Sequence, residues 1–134
     1  MSEQKRYTLL AVDDQEAVLR TIEVMVRDSP FALVTAKSAR EALARAAEQP
    51  PDIVLLDILM PDISGIALVV QMRSDPALKD VPVVMLTAAN DYALRRRAEA
   101  VGADDILLKP IGKKHLINKL LEVLARQEPA TPAG

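Results

Sequence analysis

The chain has 134 residues, a net charge of −2 and a half-hydrophobic composition, which suits one folded domain and argues against a general polyanion binder. It holds no cysteine, which excludes disulfides and thiol chemistry, and its aromatic residues, Tyr7, Phe31 and Tyr92, offer no stacking platform for single-stranded nucleic acid. The first apolar run is too short for a signal peptide or a membrane span, so the expected location is cytoplasmic.

Taken in order, the elements alternate. Residues 1–6 are read as an N-terminal extension. "YTLLAV" (7–12) is a short apolar run that ends in Asp13-Asp14. Over 15–28, Val18, Leu19, Ile22, Met25 and Val26 fall at helical spacing. "ALVTA" (32–36) reads as a strand. Ser38 opens a capping box with Glu41, so a helix runs to about Gln49, where Pro50-Pro51 stop it. "DIVLLD" (52–57) is the third strand, "MPDISG" a loop, and 65–73 an amphipathic helix. "VPVVMLTA" (81–88) is a strand that tolerates Pro82 near its start. Helix 91–101 follows, with Gly102 where a left-handed residue is wanted. "DILLK" (105–109) is the fifth strand, and helix 113–126 presents Leu116, Ile117, Leu120, Leu121 and Leu124 on one face. The segment 127–134, "QEPATPAG", has no periodic pattern and reads as a disordered tail or the start of a linker. The main domain is therefore expected over 7–126.

Five strand–helix units imply an α/β domain, with a parallel sheet covered by helices on both faces. In such sheets the ligand crevice lies beyond the carboxyl ends of the strands. Strand one ends in Asp13-Asp14, strand three in Asp57, strand four in Thr87 and strand five in Lys109. Each alone is ordinary: an aspartate after a strand is usually a cap, and a threonine there is usually a β-former. Their joint placement at one edge is the signal. Close carboxylates repel one another, and an all-oxygen set without His or Cys suits a hard divalent ion, Mg²⁺. An aspartate can also act as a nucleophile toward phosphorus, with Lys109 and Thr87 sharing the charge on the phosphoryl oxygens. There is no glycine-rich phosphate loop, so no bound nucleotide is implied.

The residues "VDD" (12–14), "LLDILMPDISG" (55–65), "MLTA" (85–88) and "LLKP" (107–110) resemble the receiver domain of bacterial response regulators, the chemotaxis-type phosphoacceptor of two-component systems. The likeness covers about residues 7–126. It implies a flavodoxin-like (βα)5 sandwich whose five-stranded sheet has the order 2-1-3-4-5. It implies that Asp57 is the phosphoacceptor, and that Mg²⁺ is held by Asp13, Asp14, Asp57 and the Leu59 backbone carbonyl. Thr87 would bond the phosphoryl group and move on activation, Lys109 would pair with it, and the Lys109–Pro110 bond would be cis. The implied donor is a sensor histidine kinase or a histidine phosphotransfer protein. The implied output is altered docking of a downstream effector or output domain, through the face formed by helix four, strand five and helix five. The domain would not be a conventional enzyme: it would take up a phosphoryl group and help to hydrolyse it.

Several positions depart from the family. Many receivers carry an aromatic residue three positions before the lysine, where this chain has Ile106, and Ile111 stands where Phe is frequent. The expected switch, Thr87 with Ile106, then works without a rotating ring. Leu59 and Ala89, which would flank the phosphate, are apolar, and this predicts slow dephosphorylation. Arg95-Arg96-Arg97 reads first as a solvated face and, alternatively, as a homodimer seam or docking patch. His115, the only histidine, reads as a surface residue. Two rival readings stand beside the switch. One is a fragment of a longer regulator with a cyclic-dinucleotide enzyme or DNA-binding output. The other is a flavodoxin-type cofactor binder, which the acidic end of strand one disfavours because it would repel a flavin phosphate. The residues themselves offer no nucleic-acid or membrane contact.

Overall fold

A computed structural model describes residues 6–60, 64–88 and 91–127. The elements run β1 (Tyr7–Val12), α1 (Glu16–Val26), β2 (Phe31–Ala36), α2 (Ala39–Glu48), β3 (Ile53–Asp57), α3 (Gly65–Arg73), β4 (Val83–Thr87), α4 (Tyr92–Ala100), β5 (Asp105–Leu108) and α5 (Lys113–Gln127). The strands form one parallel sheet of order β2-β1-β3-β4-β5, the flavodoxin-like arrangement. The order reverses between β1 and β3, which places the crevice beyond the ends of those two strands.

Pleating divides the core into two layers. Leu9, Ala11, Ile53, Leu55, Val84 and Leu86 point to one face and pack against α1 and α5. Leu10, Val12, Val54, Leu56, Val83 and Met85 point to the other and pack against α2, α3 and α4. Every residue of β3 and β4 is buried, as expected of inner strands covered on both faces.

Element ends differ from the sequence reading where a specific contact or backbone angle intervenes. Asp52 stays out of β3, and its Oδ2 accepts the Thr8 N–H at 2.7 Å. β4 begins after Pro82, whose carbonyl accepts the Val54 N–H. α1 stops at Val26, because Arg27 is extended and Asp28 adopts a left-handed φ of 63°. Ser38 caps α2 by accepting the Glu41 N–H at 3.0 Å, and Gly102 takes a φ of 105° after α4, both as the sequence suggests. The helix at 65–73 is not amphipathic: Gly65, Ile66, Leu68, Val69 and Met72 are buried, and on its open side Val70 meets solvent. Residues 1–5, positions 61–63 of the loop read as "MPDISG" and the tail 128–134 lie outside the described residues, as does Ala89.

Candidate phosphoacceptor site

Sheet register brings the rim residues together. Val12 lies beside Leu56 and Asp57 beside Leu86, so Asp13 and Asp57 leave adjacent strands at the same edge. Thr87 lies beside Leu108, and the Thr87 carbonyl accepts the Lys109 N–H at 2.8 Å. Lys109 thus follows β5 into the same crevice. The Lys109–Pro110 peptide bond is cis.

At the centre is a lysine between two carboxylates. Lys109 Nζ lies 3.2 Å from Asp13 Oδ2 and 3.4 Å from Asp57 Oδ2. Asp13 is 1% exposed and Asp57 8%, so these are partly desolvated contacts rather than surface pairs. The crevice is therefore drier at its floor than a solvated rim, and only Asp14 among the three carboxylates is exposed. Backbone donors orient the acids: Gln15 N–H donates to Asp13 Oδ1 at 2.9 Å, and Leu59 N–H donates to Asp57 Oδ1 at 3.3 Å. Burial holds the Asp57 carboxyl above the ordinary carboxylate range, the Lys109 charge opposes this, and the Asp13 charge adds to it.

Asp13, Asp14 and Asp57 each present a carboxylate oxygen within 4.8 Å of the others. One lysine cannot neutralise three such groups, and the all-oxygen set fits a hard divalent cation. Leu59 projects its side chain outward, 58% exposed, while its N–H is tied to Asp57.

Gly65 matters to this geometry in a way its place in a loop motif did not reveal. A Cβ there would overlap the Asp57 carbonyl oxygen and Leu56 Cδ1, and would lie 2.9 Å from Ile58 Cα. The Gly65 N–H donates to the Ile58 carbonyl at 2.7 Å. The start of α3 is thus pressed directly onto the chain that carries Asp57.

Thr87 is buried at the end of β4, and Ile106 is buried against the α4 side of the core, beside Met85. His115 is exposed on α5. Arg96 and Arg97 are exposed, Arg95 is half-buried, and the Arg96 guanidinium lies 5.8 Å from the Tyr92 ring centre. The nearby acids are engaged elsewhere: Asp104 pairs with Arg73, and Asp105 with Lys119 and Arg126.

A family model for the response regulator receiver domain matches residues 9–121. The chain belongs to that family. This receiver is 33% identical over 122 residues to the phosphate regulon transcriptional regulatory protein PhoB of Pseudomonas aeruginosa, covering 91% of this chain and 53% of PhoB. It is 38% identical over 103 residues to response regulator PleD of Caulobacter vibrioides, covering 77% of this chain and 23% of PleD. The chemotaxis protein CheY4 of Vibrio cholerae superposes with a TM-score of 0.84 at 30% identity, covering 88% of this receiver and 98% of CheY4. The chain spans about half the length of the curated relatives it matches first. No helix among the described residues is long and apolar enough to cross a membrane.

Proposed function

We propose that this receiver is a phosphorylation-dependent switch in a two-component phosphorelay, with Asp57 as its phosphoacceptor. The observation that carries the reading is the pairing of buried Asp57 and Asp13 with one Lys109 ammonium, beside a third carboxylate, at the switch point of the sheet. The donor is a phosphohistidine on a sensor histidine kinase or a histidine phosphotransfer protein. An Asp57 carboxylate oxygen forms the new P–O bond as the donor P–N bond breaks, and the electron pair of that bond stays on the imidazole nitrogen. The Lys109 Nζ, held beside Asp57, pairs with the phosphoryl oxygens. Thr87, at the end of the neighbouring strand, bonds one of them.

Asp13, Asp14, Asp57 and the Leu59 carbonyl would hold Mg²⁺. When bound, that ion supplies charge that offsets both the clustered carboxylates and the phosphoryl oxygens. Donor docking is supported by an apolar depression of about 310 Å³ beside the site, lined by Ala17, Val18, Met25, Lys109, Pro110 and Ile111. The chemistry is confined to the domain's own aspartate, so we do not read it as a turnover enzyme. Its output is docking of an effector or output domain through α4, β5 and α5, where Tyr92 is 74% and Leu108 44% exposed. With Ile106 packed in the core, activation works through Thr87 and the movement of α4 rather than through a rotating ring.

The test is intact mass after incubation with Mg²⁺ and acetyl phosphate. Wild-type protein gains one phosphoryl group, while EDTA-treated protein and Asp57→Asn gain none. An equal gain in Asp57→Asn would overturn the assignment. Because Leu59 cannot orient an attacking water by a side-chain hydrogen bond, the label persists well beyond seconds after the donor is removed, and loss within seconds would contradict this.

A further inference from the structure

β2 is an edge strand of six residues, "FALVTA", with neither a charge nor a proline to protect it. The other edge, β5, is shorter and opens on Asp105, which Lys119 and Arg126 engage. The parallel ladder to β1 runs from Tyr7 N–H on the Pro30 carbonyl to Asp13 N–H on the Ala36 carbonyl. Alternation along a parallel strand then directs the backbone groups of Ala32, Val34 and Ala36 toward β1, and those of Phe31, Leu33 and Thr35 outward. Ser29 Oγ accepts the Phe31 N–H at 3.2 Å. Among the described residues, the outward backbone groups of Leu33 and Thr35 make no hydrogen bond.

The helices flanking this edge carry ordered charges. Glu16, Arg20, Glu23 and Arg27 line the α1 side of the β2 edge in two shallow depressions, and they alternate in sign along the helix. On the other face Arg45 and Glu48 line a third depression with Leu33, Val34 and Thr35. All six are exposed. Such a row is self-complementary under a two-fold axis, because an antiparallel copy opposes each charge to its opposite.

We propose that the β2 edge is a self-association surface, and that its partner is a second copy of this chain. Two β2 strands pair antiparallel through the Leu33 and Thr35 backbone groups and join two sheets into one. α1 lies over β1 and β2, so the two α1 helices come to roughly 10 Å apart, a normal packing distance. In that pairing Glu16 faces the partner's Arg27, and Arg20 faces the partner's Glu23. On the opposite face Arg45 meets the partner's Glu48. The inference uses no group of the phosphoacceptor crevice, so its test runs without phosphodonor or Mg²⁺.

The experiment is sedimentation velocity of the full chain at low ionic strength, with four proteins. Wild type sediments as a dimer at high protein concentration, and added salt weakens it. Arg20→Glu and Glu23→Arg each weaken the dimer at least about 10-fold, since each opposes like charges across the axis. Mixing these two single variants produces a heterodimer, because every pair is then complementary. The double exchange Arg20→Glu with Glu23→Arg restores self-association. Both substituted positions are exposed, and circular dichroism checks that each variant is folded. A wild type that stays monomeric at roughly 0.5 mM, a concentration at which even weak dimers populate, overturns the proposal. So does a dimer indifferent to both single reversals, which would place the contact elsewhere, or failure of the mixed variants to associate.

Discussion

Asp57 shows how much of this domain's behaviour is set by one side chain in conflict with its surroundings. Burial and the Asp13 charge both disfavour its ionised form, and Lys109 compensates only in part. A carboxyl whose folded value is raised stabilises the fold most at low pH and loses that contribution as pH rises through the elevated value. In the metal-free protein, ionising Asp57 therefore costs stability. Asp57→Asn is expected to stabilise the protein in EDTA at pH 7 by about 1 kcal/mol, a melting shift of about 3 °C. Differential scanning calorimetry checks this, and a lowered Tm would contradict it. Gly65 is the opposite kind of residue, one that matters for what it lacks. Gly65→Ala pushes a methyl group into the Asp57 carbonyl and the Leu56 side chain, and neither the strand nor α3 can retreat. The expected loss is about 2–3 kcal/mol in urea unfolding, together with slower phosphorylation, because the overlap falls on the residue that carries the nucleophile.

Elements are held by two kinds of contact, and only one kind could be read from the chain. Caps are local. Ser38 to Glu41, Ser64 to Ala67 and Asp91 to Leu94 each span three residues, and replacing Ser38 by Ala should cost about 1 kcal/mol by denaturant titration. Arg73 has no such local signature. Its Nη1 donates to the carbonyls of Val81 at 2.7 Å and Lys79 at 3.1 Å, and its Nη2 to the carbonyl of Gly102 at 2.8 Å and to Asp104 Oδ2 at 3.3 Å. Asp104 Oδ2 also accepts the Val83 N–H at 2.7 Å. One guanidinium thus fastens the end of α3 to the entry of β4 and to the turn before β5. Arg73→Lys cannot reproduce the fork, and it is expected to lose about 2 kcal/mol of stability by urea unfolding. Most of these acceptors are backbone carbonyls, which carry no mark in the sequence. The boundary shifts have the same origin: Asp52 is drawn out of β3 by the Thr8 N–H, forty-four residues away.

For the whole molecule, stability against pH is a sum of opposing carboxyls. Burial pushes the Asp105 carboxyl up, but the Ile106 N–H and the Lys119 and Arg126 side chains outweigh it and hold it below the ordinary range. A lowered carboxyl contributes stability above its unfolded value and loses it as pH falls through the folded one. Asp57 acts in the other direction. Metal-free wild type should therefore weaken on both sides of a mildly acidic optimum, while Asp57→Asn should keep the acid limb and lose much of the decline toward neutral pH. Urea midpoints measured across pH with EDTA present would show it.

The sequence by itself determined the alternation of five strands and five helices, and with it a parallel sheet covered on both faces. It also placed Asp13, Asp14, Asp57, Thr87 and Lys109 at strand ends, because apolar runs of fixed period can end only where polarity changes. It could not say which of those acids the lysine would hold. Only the tertiary structure decided that Asp13 and Asp57 share Lys109 while Asp14 is exposed, that Asp57 is buried, and that β2 is an edge strand. The reason is physical: periodicity is a property of neighbours along the chain, whereas register, burial and a sheet edge exist only once distant segments meet.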